Sequence, residues 1–269
     1  MSVIVCIGSG NMGVALMKGA CGTPGTSIFF TDADAEKAEK AADFLGEEVI
    51  KTNTEAAEKG DFIFLAVKPQ VLEKVLAEIS HVVKKRLKTA SPPVLVSMAA
   101  GWSIEKIQNA IGAKAQIVRI MPNTPAIINH GMIVYSPSPE VPVKTIKELE
   151  GILSGAGHVD RLDERYLNAV TGLSGSGPAF VYLFIEAMAD GGVTSGLPRD
   201  KALRYAVQTV IGAASMVQKM GKHPEELKDM VASPGGTTIA GLGVLESRGF
   251  RGSVMKAVEA AWKRAIELG

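Results

Sequence analysis

The sequence predicts an α/β protein in which a doubly wound parallel sheet comes first and an all-α domain follows. Short apolar runs alternate with helical patterns up to about residue 160, and no convincing alternating strand follows residue 162. Glycine is frequent, at 29 of 269 residues, which indicates many tight turns or close backbone approaches. At roughly 150 residues per domain the chain is long enough for two domains. We therefore predict one domain over residues 1–162 and a second over residues 163–269.

The first domain is predicted to contain seven strands and six helices. The strands are expected at residues 3–7, 27–31, 48–51, 61–67, 94–98, 116–121 and 132–135. The helices between them are expected at residues 11–20, 34–44, 54–59, 70–87, 104–111 and 143–154. Several strands are apolar enough to be covered on both faces. Because strand–helix–strand units connect in a right-handed sense, this alternation predicts a parallel sheet with helices on both sides.

The second domain is predicted to contain five helices. Prolines mark expected helix starts and glycines mark expected ends: Pro178, Pro198, Pro224 and Pro234 open helices, and Gly191, Gly192 and Gly221 close them. The stretch 198–220 is apolar around much of its circumference, so we expect it to be buried. A small domain cannot easily surround such a helix, which predicts packing against a second subunit across a two-fold axis. The alternative is a central helix of a monomeric bundle.

The composition excludes several classes of protein. A net charge of +1 predicts neither nucleic acid nor a membrane as a partner, and 46% apolar residues exclude intrinsic disorder. Cys6, Cys21 and the four scattered histidines have no metal-ligand spacing, so no metal is predicted. The longest apolar run, residues 179–185, is far shorter than the roughly 18 residues that span a bilayer. A strand-like run follows Met1 directly with no targeting segment, so we expect a cytoplasmic protein.

A glycine motif of the form G-x-G-x-x-G follows the first strand and opens the first helix. Its residues are Gly8, Ser9, Gly10, Asn11, Met12 and Gly13. In this position Gly8 permits a tight turn, Gly10 lets the backbone approach a diphosphate, and Gly13 lets helix and strand pack closely. The helix N-terminus favours the negative charge. The motif predicts a Rossmann domain that binds a dinucleotide, the alternative being a glycine-rich turn that binds nothing.

An acidic residue, Asp32, ends the second strand 19 residues after Gly13. This is close to the spacing at which a carboxylate accepts hydrogen bonds from the adenine ribose. A carboxylate there repels a 2′-phosphate, and no Arg or Lys follows until Lys37, so the sequence favours NADH over NADPH. Alternatively, Asp32 or Asp34 only caps the next helix.

Two further segments follow strands at the edge where doubly wound sheets bind ligands. Residues 66–69 end the fourth strand, and Lys68 there either contacts the cofactor through its backbone or is a solvated lysine. Residues 121–125 form a stiff loop, with Pro122 and Pro125 around Asn and Thr, that could line the nicotinamide pocket or serve only as a turn.

A candidate anion site lies in the second domain at residues 233–238. Ser233 can cap a helix with Pro234 at its first position, and the N–H groups of Gly235, Gly236 and Thr237 would then hold a carboxylate. The alternative is an ordinary capped helix start.

Five segments together resemble pyrroline-5-carboxylate reductases, and the resemblance extends through nearly the whole chain. They are AVKPQ at 66–70, MPNTPA at 121–126, TGLSGSGPA at 171–179, DGGV at 190–193 and SPGGTT at 233–238. The resemblance implies NAD(P)H-dependent reduction of L-1-pyrroline-5-carboxylate to L-proline, the last step of proline biosynthesis. It also implies a Rossmann domain followed by an α-helical dimerisation domain, in homodimers that can assemble further.

The resemblance also assigns residues to the site. The cofactor contacts that it implies fall on Ile7, Gly8, Ser9, Gly10, Asn11, Met12, Asn53, Ala66, Val67, Lys68 and Pro69, beside Gly13 and Asp32 from the motif itself. Implied substrate contacts fall on the stretch around Thr237 and Thr238, and on Glu164 and Ser176. Two residues depart from the family pattern: Asp32 stands where members often carry small hydroxyl or basic residues, which leaves the choice between NADPH and NADH open, and Met230 stands where some relatives have a polar residue near the substrate.

Reduction of a cyclic imine needs hydride delivered to carbon and a hydrogen-bond donor near nitrogen. We predict that the Thr238 hydroxyl is this catalytic donor and orients an already protonated iminium or a water. A β-hydroxyacid dehydrogenase is the nearest alternative enzyme, but residues 178–185 lack the Lys and Asn that it uses. The sequence contains neither the ligand spacing of a metal hydrolase nor the strand–helix G-x-S-x-G motif of a serine hydrolase. The alternative outside enzymes is a redox sensor that binds a dinucleotide and signals through its dimer interface.

Overall fold

A computed structural model describes residues 2–268 of the chain, which form two compact units. The first unit contains residues 2–176 and 261–268, and the second is Gly177–Ala260.

The first unit is built on one eight-stranded sheet. Its strands are β1 (Ser2–Ile7), β2 (Thr26–Thr31), β3 (Glu48–Val49), β4 (Phe62–Leu65), β5 (Val94–Ser97), β6 (Gln116–Met121), β7 (Gly131–Pro137) and β8 (Gly157–Arg161). They lie in the order β3-β2-β1-β4-β5-β6-β7-β8, and the first six of these are parallel. The strand order reverses between β1 and β4, which is where open sheets of this kind bind ligands.

Two features of the sheet differ from the predicted pattern. β7 pairs antiparallel to β6, because only a short 3₁₀ helix (Thr124–Ile128) joins the two strands, too short for a crossover. β8, which the prediction missed, is an edge strand with the polar sequence GHVDR and mostly exposed residues. Because neither face of β8 is deeply buried, its sequence carries no strand-like apolar pattern.

Six helices cover the two faces of the sheet. They are α1 (Asn11–Ala20), α2 (Ala35–Leu45), α3 (Asn53–Lys59), α4 (Pro69–Arg86), α5 (Ile104–Ile111) and α6 (Val143–Ser154), each within one residue of its predicted bounds. Apolar residues of α1, α2 and α6 form one core with the sheet, and those of α3, α4 and α5 form the other. The doubly wound arrangement follows from these two cores.

A helical segment that was not predicted ends the first unit. It consists of a 3₁₀ helix (Glu164–Tyr166), the single turn α7 (Leu167–Val170) and a π-helical turn (Thr171–Gly175). Leu167 is buried against Met121 and Val134, so this segment is anchored on β6 and β7.

The five helices predicted after residue 176 are present. They are α8 (Gly177–Thr194), α9 (Arg199–Met220), α10 (Pro224–Met230), α11 (Thr237–Ser247) and α12 (Phe250–Glu267). Pro224 is the first residue of α10, and Gly221 ends α9 in the left-handed conformation, as predicted.

One predicted helix end and one predicted helix start were wrong. Gly191 and Gly192 lie inside α8, where an added Cβ on Gly192 would meet Ala202 at 3.2 Å, so this glycine permits close packing of α8 on α9. Pro234 does not open α11, because the Gly236 N–H donates to the Ser233 carbonyl at 3.1 Å and closes a turn first. Gly236 is therefore the residue that caps the helix.

Helix α9 is far less buried than predicted within a single chain. Only Ala202 and Ala206 are buried, whereas Leu203 and Val217 are exposed by 48% and 38%. A central helix of a monomeric bundle would be covered on all sides, and α9 is not covered in this way by the described residues. No helix among residues 2–268 is long and apolar enough to cross a membrane.

Candidate functional site

Gly8 occupies the tightest point of the glycine loop. Its φ of +101° is a conformation that L side chains rarely adopt, and an added Cβ would lie 2.8 Å from the Ala66 carbonyl carbon. The Gly8 N–H donates to the Thr31 carbonyl at 2.8 Å, and the Ala66 N–H donates to the Ile7 carbonyl at 2.8 Å. The loop is therefore held between the ends of β2 and β4.

Gly13 and Gly10 have opposite surroundings. An added Cβ on Gly13 would lie 2.7 Å from the Gly8 carbonyl oxygen and 2.9 Å from Cys6 Sγ, so α1 packs directly on β1 there. At Gly10 an added Cβ would meet nothing within 4 Å. The open space above Gly10, at the start of α1, is where a diphosphate can approach the backbone.

The start of α1 fits a dinucleotide diphosphate. The first N–H groups of a helix have no partner inside it, and at α1 these belong to Asn11, Met12 and Gly13. The Ser9 hydroxyl is buried and has no hydrogen-bond partner among the described residues. An anion accepting hydrogen bonds would satisfy these donors, and the helix dipole adds to the attraction.

Asp32 is tied to this loop. Its Oδ2 accepts a hydrogen bond from the Ser9 N–H at 2.7 Å, and its Oδ1 accepts one from the Asp34 N–H at 3.0 Å. Asp34 precedes α2 without capping it through its side chain. Asp34 thus occupies the N-cap position of α2 without a side-chain hydrogen bond, whereas Asp32 bonds to the glycine loop and does not cap that helix.

A cavity of about 390 Å³ gathers most of the predicted cofactor residues. Its lining includes Ile7, Gly8, Gly10, Asp32, Asn53, Ala66, Val67 and Lys68. Asn53 begins α3 and donates to Glu78 Oε2 at 2.7 Å, and Pro69 is the first residue of α4 after Lys68. An adjoining cavity of about 340 Å³ is lined in part by Ser9, Gly10 and Asn11. Met12 packs against the core below the loop.

Cys6 lies under the glycine loop and is an unreactive, buried thiol. Its thiol is fully buried and donates to the Gly8 carbonyl at 3.3 Å. Burial, with a further contribution from the charge of Asp32, raises the pKa of Cys6 to about 12. The thiol is therefore protonated at neutral pH and serves packing.

The loops after β5 and β6 are held in place by side chains. The Trp102 indole N–H donates to the Pro69 carbonyl at 3.1 Å. The Asn123 amide donates to the Ser174 hydroxyl at 3.2 Å and accepts from the Met132 N–H at 2.8 Å. Both loops follow the carboxyl ends of parallel strands, at the edge where open sheets of this kind bind ligands.

The predicted anion cradle in the second unit shifts by about one residue. Because Gly236 caps α11 and its N–H is already bonded to Ser233, the unpartnered N–H groups are those of Thr237, Thr238 and Ile239. Gly235 has a φ of +69° and forms the turn with Ser233. The Gly236 N–H thus has a partner within the chain, and Thr237 and Thr238 take the first helical positions, while a ligand contact of Gly236 stays a prediction.

The two remaining predicted substrate residues lie in the first unit. Ser176 follows the π-helical turn, and its N–H donates to the Thr171 carbonyl at 2.9 Å. Glu164 accepts from the Ile104 N–H at 2.7 Å and pairs with Arg119 at 2.8 Å. Met230 ends α10 and is 59% exposed. Among residues 2–268, no three His, Cys, Asp or Glu side chains cluster as metal ligands do.

Comparison with known proteins identifies the family. A model described as pyrroline-5-carboxylate reductase dimerisation matches residues 164–268, and one described as NADP oxidoreductase, coenzyme F420-dependent, matches residues 3–101. The pyrroline-5-carboxylate reductase of Glycine max is 42% identical over 97% of this chain and 94% of its own length. That of Escherichia coli K12 is 39% identical over 97% and 96%. The chain belongs to the pyrroline-5-carboxylate reductase family.

A solved structure of the same family agrees with this fold. The crystal structure of Plasmodium falciparum pyrroline carboxylate reductase with NADP bound matches with a TM-score of 0.87 and 31% identity, covering 100% of this chain and 98% of that chain. The predicted fold class, a Rossmann sheet followed by helices, is confirmed. The predicted activity is confirmed as well: the chain is an NAD(P)H-dependent reductase that converts L-1-pyrroline-5-carboxylate to L-proline. A β-hydroxyacid dehydrogenase and a redox sensor are thereby set aside.

Sequence reasoning did not single out Arg119, which pairs with the predicted site residue Glu164. Arg119 lies in the middle of β6, and its side chain is only 8% exposed. A lone arginine in the otherwise apolar segment QIVRIM was the available signal, since a buried guanidinium needs an anionic partner. That partner is Glu164, which lies 45 residues further along the chain, so no local sequence pattern identifies it.

Proposed function

We propose that this reductase holds its dinucleotide on the glycine loop and holds the carboxylate of its substrate at the start of α11. The observation that carries the proposal is the cofactor cavity at the point where the strand order reverses, which brings Gly8, Gly10, Asp32, Asn53 and Lys68 together. When bound there, NAD(P)H supplies a hydride to the carbon of the C=N bond.

Residues of the loop bind and orient the cofactor in this proposal. The N–H groups at the start of α1 and the Ser9 hydroxyl hold the diphosphate. The backbone of residues 66–68 closes the opposite wall of the cavity, with Asn53 beside it. The loops of Trp102 and Asn123 keep water away from the reacting carbon because their own hydrogen bonds fix them.

Asp32 sets the cofactor preference in this proposal. The Ser9 and Asp34 N–H groups fix its carboxylate at the cavity wall, while its remaining lone pairs can accept the ribose hydroxyls. Lys37, one of two lysines that line the same cavity, lies 3.4 Å from the Asp34 carboxylate and pairs with it. A 2′-phosphate would meet the Asp32 charge, so we propose that NADH is preferred over NADPH.

The start of α11 binds the substrate. The N–H groups of Thr237 and Thr238, with the positive end of the helix dipole, hold the carboxylate. The Thr238 hydroxyl donates a hydrogen bond near the ring nitrogen and orients a protonated iminium or a water. Ser233, Gly235 and Gly236 shape the turn that presents these groups. Ser176 is proposed as a further substrate contact.

We also propose that the enzyme is a homodimer through its C-terminal helices and can assemble further. The exposed apolar face of α9 supports this, as does the family description of residues 164–268 as a dimerisation region. The proposed boundary between cofactor and dimerisation domains, between residues 162 and 163, adjoins the start of that match. A cytoplasmic location stays a prediction.

The proposed function is tested by following the absorbance of the reduced nicotinamide with pyrroline-5-carboxylate, in parallel with NADH and NADPH. We expect turnover with both and a higher kcat/KM with NADH. Turnover with a preference for NADPH would contradict the proposed role of Asp32 but not the reductase activity. Absence of turnover with either, while the cofactor still binds, would contradict the proposed use of the site.

A further inference from the structure

One carboxylate oxygen joins three separate segments of the first unit. Glu164 Oε1 accepts a hydrogen bond from the Ile104 N–H at 2.7 Å and one from Arg119 Nη1 at 2.8 Å. Ile104 begins α5, Arg119 lies in β6, and Glu164 itself begins the 3₁₀ helix that leads to the π-helical turn.

Both partners need this carboxylate. The Arg119 side chain is only 8% exposed, and a buried guanidinium needs an anionic partner. The Ile104 N–H is the first of α5 and has no partner within the helix. The Ser103 hydroxyl serves only the Lys106 N–H, at 3.1 Å, so Glu164 supplies the missing acceptor.

The two partners also lead directly to the loops at the cofactor edge. The loop before α5 ends at Ile104 and is held at Trp102 by the bond to Pro69. Arg119 lies two residues before the end of β6, and the loop that follows contains Asn123, which bonds to Ser174. One carboxylate therefore connects the two segments that lead into these loops.

The surroundings of Glu164 do not include the cofactor residues. Glu164 lines a separate cavity of about 610 Å³ together with Ile104, Arg161, Asp163 and Tyr166. None of Gly8, Asp32, Asn53 or Lys68 lines that cavity. Its charge is directed to the buried guanidinium.

We propose that Glu164 is a positioning residue that acts through Arg119 and Ile104 and does not contact the substrate. It clamps the loops after β5 and β6 in the arrangement that catalysis requires. This inference rests on the proposed function, because the loops matter only if the nicotinamide reacts beside them.

A double-mutant cycle tests the clamp. The variants are Glu164→Ala, Arg119→Met and the double variant, with Glu105→Gln as a matched control that removes an exposed acid next to Ile104. Because a small misplacement of reacting groups lowers rates strongly, each single variant should lower kcat about 10- to 100-fold. The KM for pyrroline-5-carboxylate should change by less than about threefold, and the double variant should be no slower than the slower single variant.

Other kinetic outcomes would overturn the proposal. A rise in KM in Glu164→Ala that Arg119→Met does not share, or losses that multiply in the double variant, would make Glu164 a substrate contact. Unchanged kcat in folded variants would make the ion pair merely structural. Glu164→Gln retains an acceptor for Ile104 but removes the charge, so it should recover part of kcat relative to Glu164→Ala, and no recovery would exclude a role through Ile104.

Amide hydrogen exchange gives a readout that does not depend on turnover. Peptides covering residues 98–106 should exchange faster in Glu164→Ala than in the wild type or Glu105→Gln, with Glu164→Gln, which retains the acceptor for Ile104, between them. Unchanged exchange would overturn the clamp even if activity falls. If the wild type shows no turnover, the proposed function fails while the exchange comparison still decides the clamp. If Glu164→Ala does not fold, Glu164→Gln and the uncharged pair Arg119→Met/Glu164→Met replace it, since removing both charges of a buried pair is often tolerated.

Discussion

At the scale of single residues, the three glycines of the loop have three different duties. Gly8 supplies a backbone conformation, Gly13 supplies contact between α1 and β1, and Gly10 leaves space that no protein atom fills. On steric grounds, Gly8 and Gly13 are therefore needed for the fold, and Gly10 is needed for binding.

Gly13→Ala should destabilise the fold, whereas Gly10→Ala should weaken cofactor binding. The Gly13 Cβ would press on the Gly8 carbonyl oxygen at 2.7 Å, and we expect a loss of about 1–3 kcal/mol in the free energy of unfolding. The Gly10 Cβ meets no protein atom, so Gly10→Ala should lower the free energy of unfolding by less than about 1 kcal/mol. The Kd of the dinucleotide should rise at least about tenfold. Urea unfolding and fluorescence titration measure the two effects, and similar stability losses in both variants would contradict the assignment.

Asp32→Asn should shift the preference from NADH toward NADPH. Removing the charge removes the repulsion of a 2′-phosphate, and we expect the ratio of the two kcat/KM values to change by about tenfold or more. Binding of adenosine 2′,5′-bisphosphate should tighten relative to ADP, as measured by calorimetry without turnover. Asp43→Asn is the control, because Asp43 is an exposed acid of α2 that lines neither of the two cavities at the glycine loop. An equal shift in both variants would point to overall charge alone.

Thr238→Ala should lower kcat/KM by about 10- to 1000-fold, because one hydrogen-bond donor near nitrogen is lost. Thr238→Ser retains the hydroxyl at the same helical position and should keep most of the activity. Steady-state kinetics with pyrroline-5-carboxylate measures both. Near-wild-type activity of the alanine variant would remove Thr238 from the mechanism.

At the scale of elements, a hydrogen bond between a buried tyrosine and a partly exposed glutamate joins β7 to α6. The Tyr135 hydroxyl donates to Glu150, and the tyrosine is only 2% exposed. Burial, and then the bond to Glu150, raise the pKa of Tyr135 from 10.0 to about 12. Such a pair ties the antiparallel end of the sheet to the helix that covers it.

This pair makes stability fall with pH in a defined window. Because the folded state keeps the phenol proton up to about pH 12 while the unfolded chain loses it near pH 10, the stabilisation is complete below pH 10 and is lost as the pH rises through 12. Tyr135→Phe should be less stable at neutral pH and should lose less stability between pH 10 and pH 12. Urea unfolding at a series of pH values measures this, and parallel curves for both proteins would contradict the assigned cause.

At the scale of the whole molecule, α9 carries an apolar stripe that its own chain leaves uncovered. Leu203, Val210 and Val217 recur every seven residues and so share one face of the helix. Exposed apolar surface of this kind is typical of a subunit interface.

Leu203→Glu should convert the proposed homodimer to monomers, because the interface would have to bury an unpaired charge. Gln208→Glu places the same charge on an exposed position of the same helix and should leave the dimer intact. Sedimentation velocity distinguishes the two species. A monomeric wild type, or a dimeric Leu203→Glu, would show that another surface mediates assembly.

Much of the fold and of the cofactor site was determined by the sequence itself. The bounds of α1, α5 and α6 and the roles of Gly8 and Gly13 follow from patterns spanning a few residues, because helix spacing, turn conformation and strand burial are local constraints. Only the tertiary structure decided that Ser9 holds Asp32, that Arg119 pairs with Glu164, and that α11 begins at Thr237. The first two are contacts between residues far apart in sequence, which no local pattern encodes. The third depends on a turn closing before the helix, where Pro234 alone indicated an earlier start.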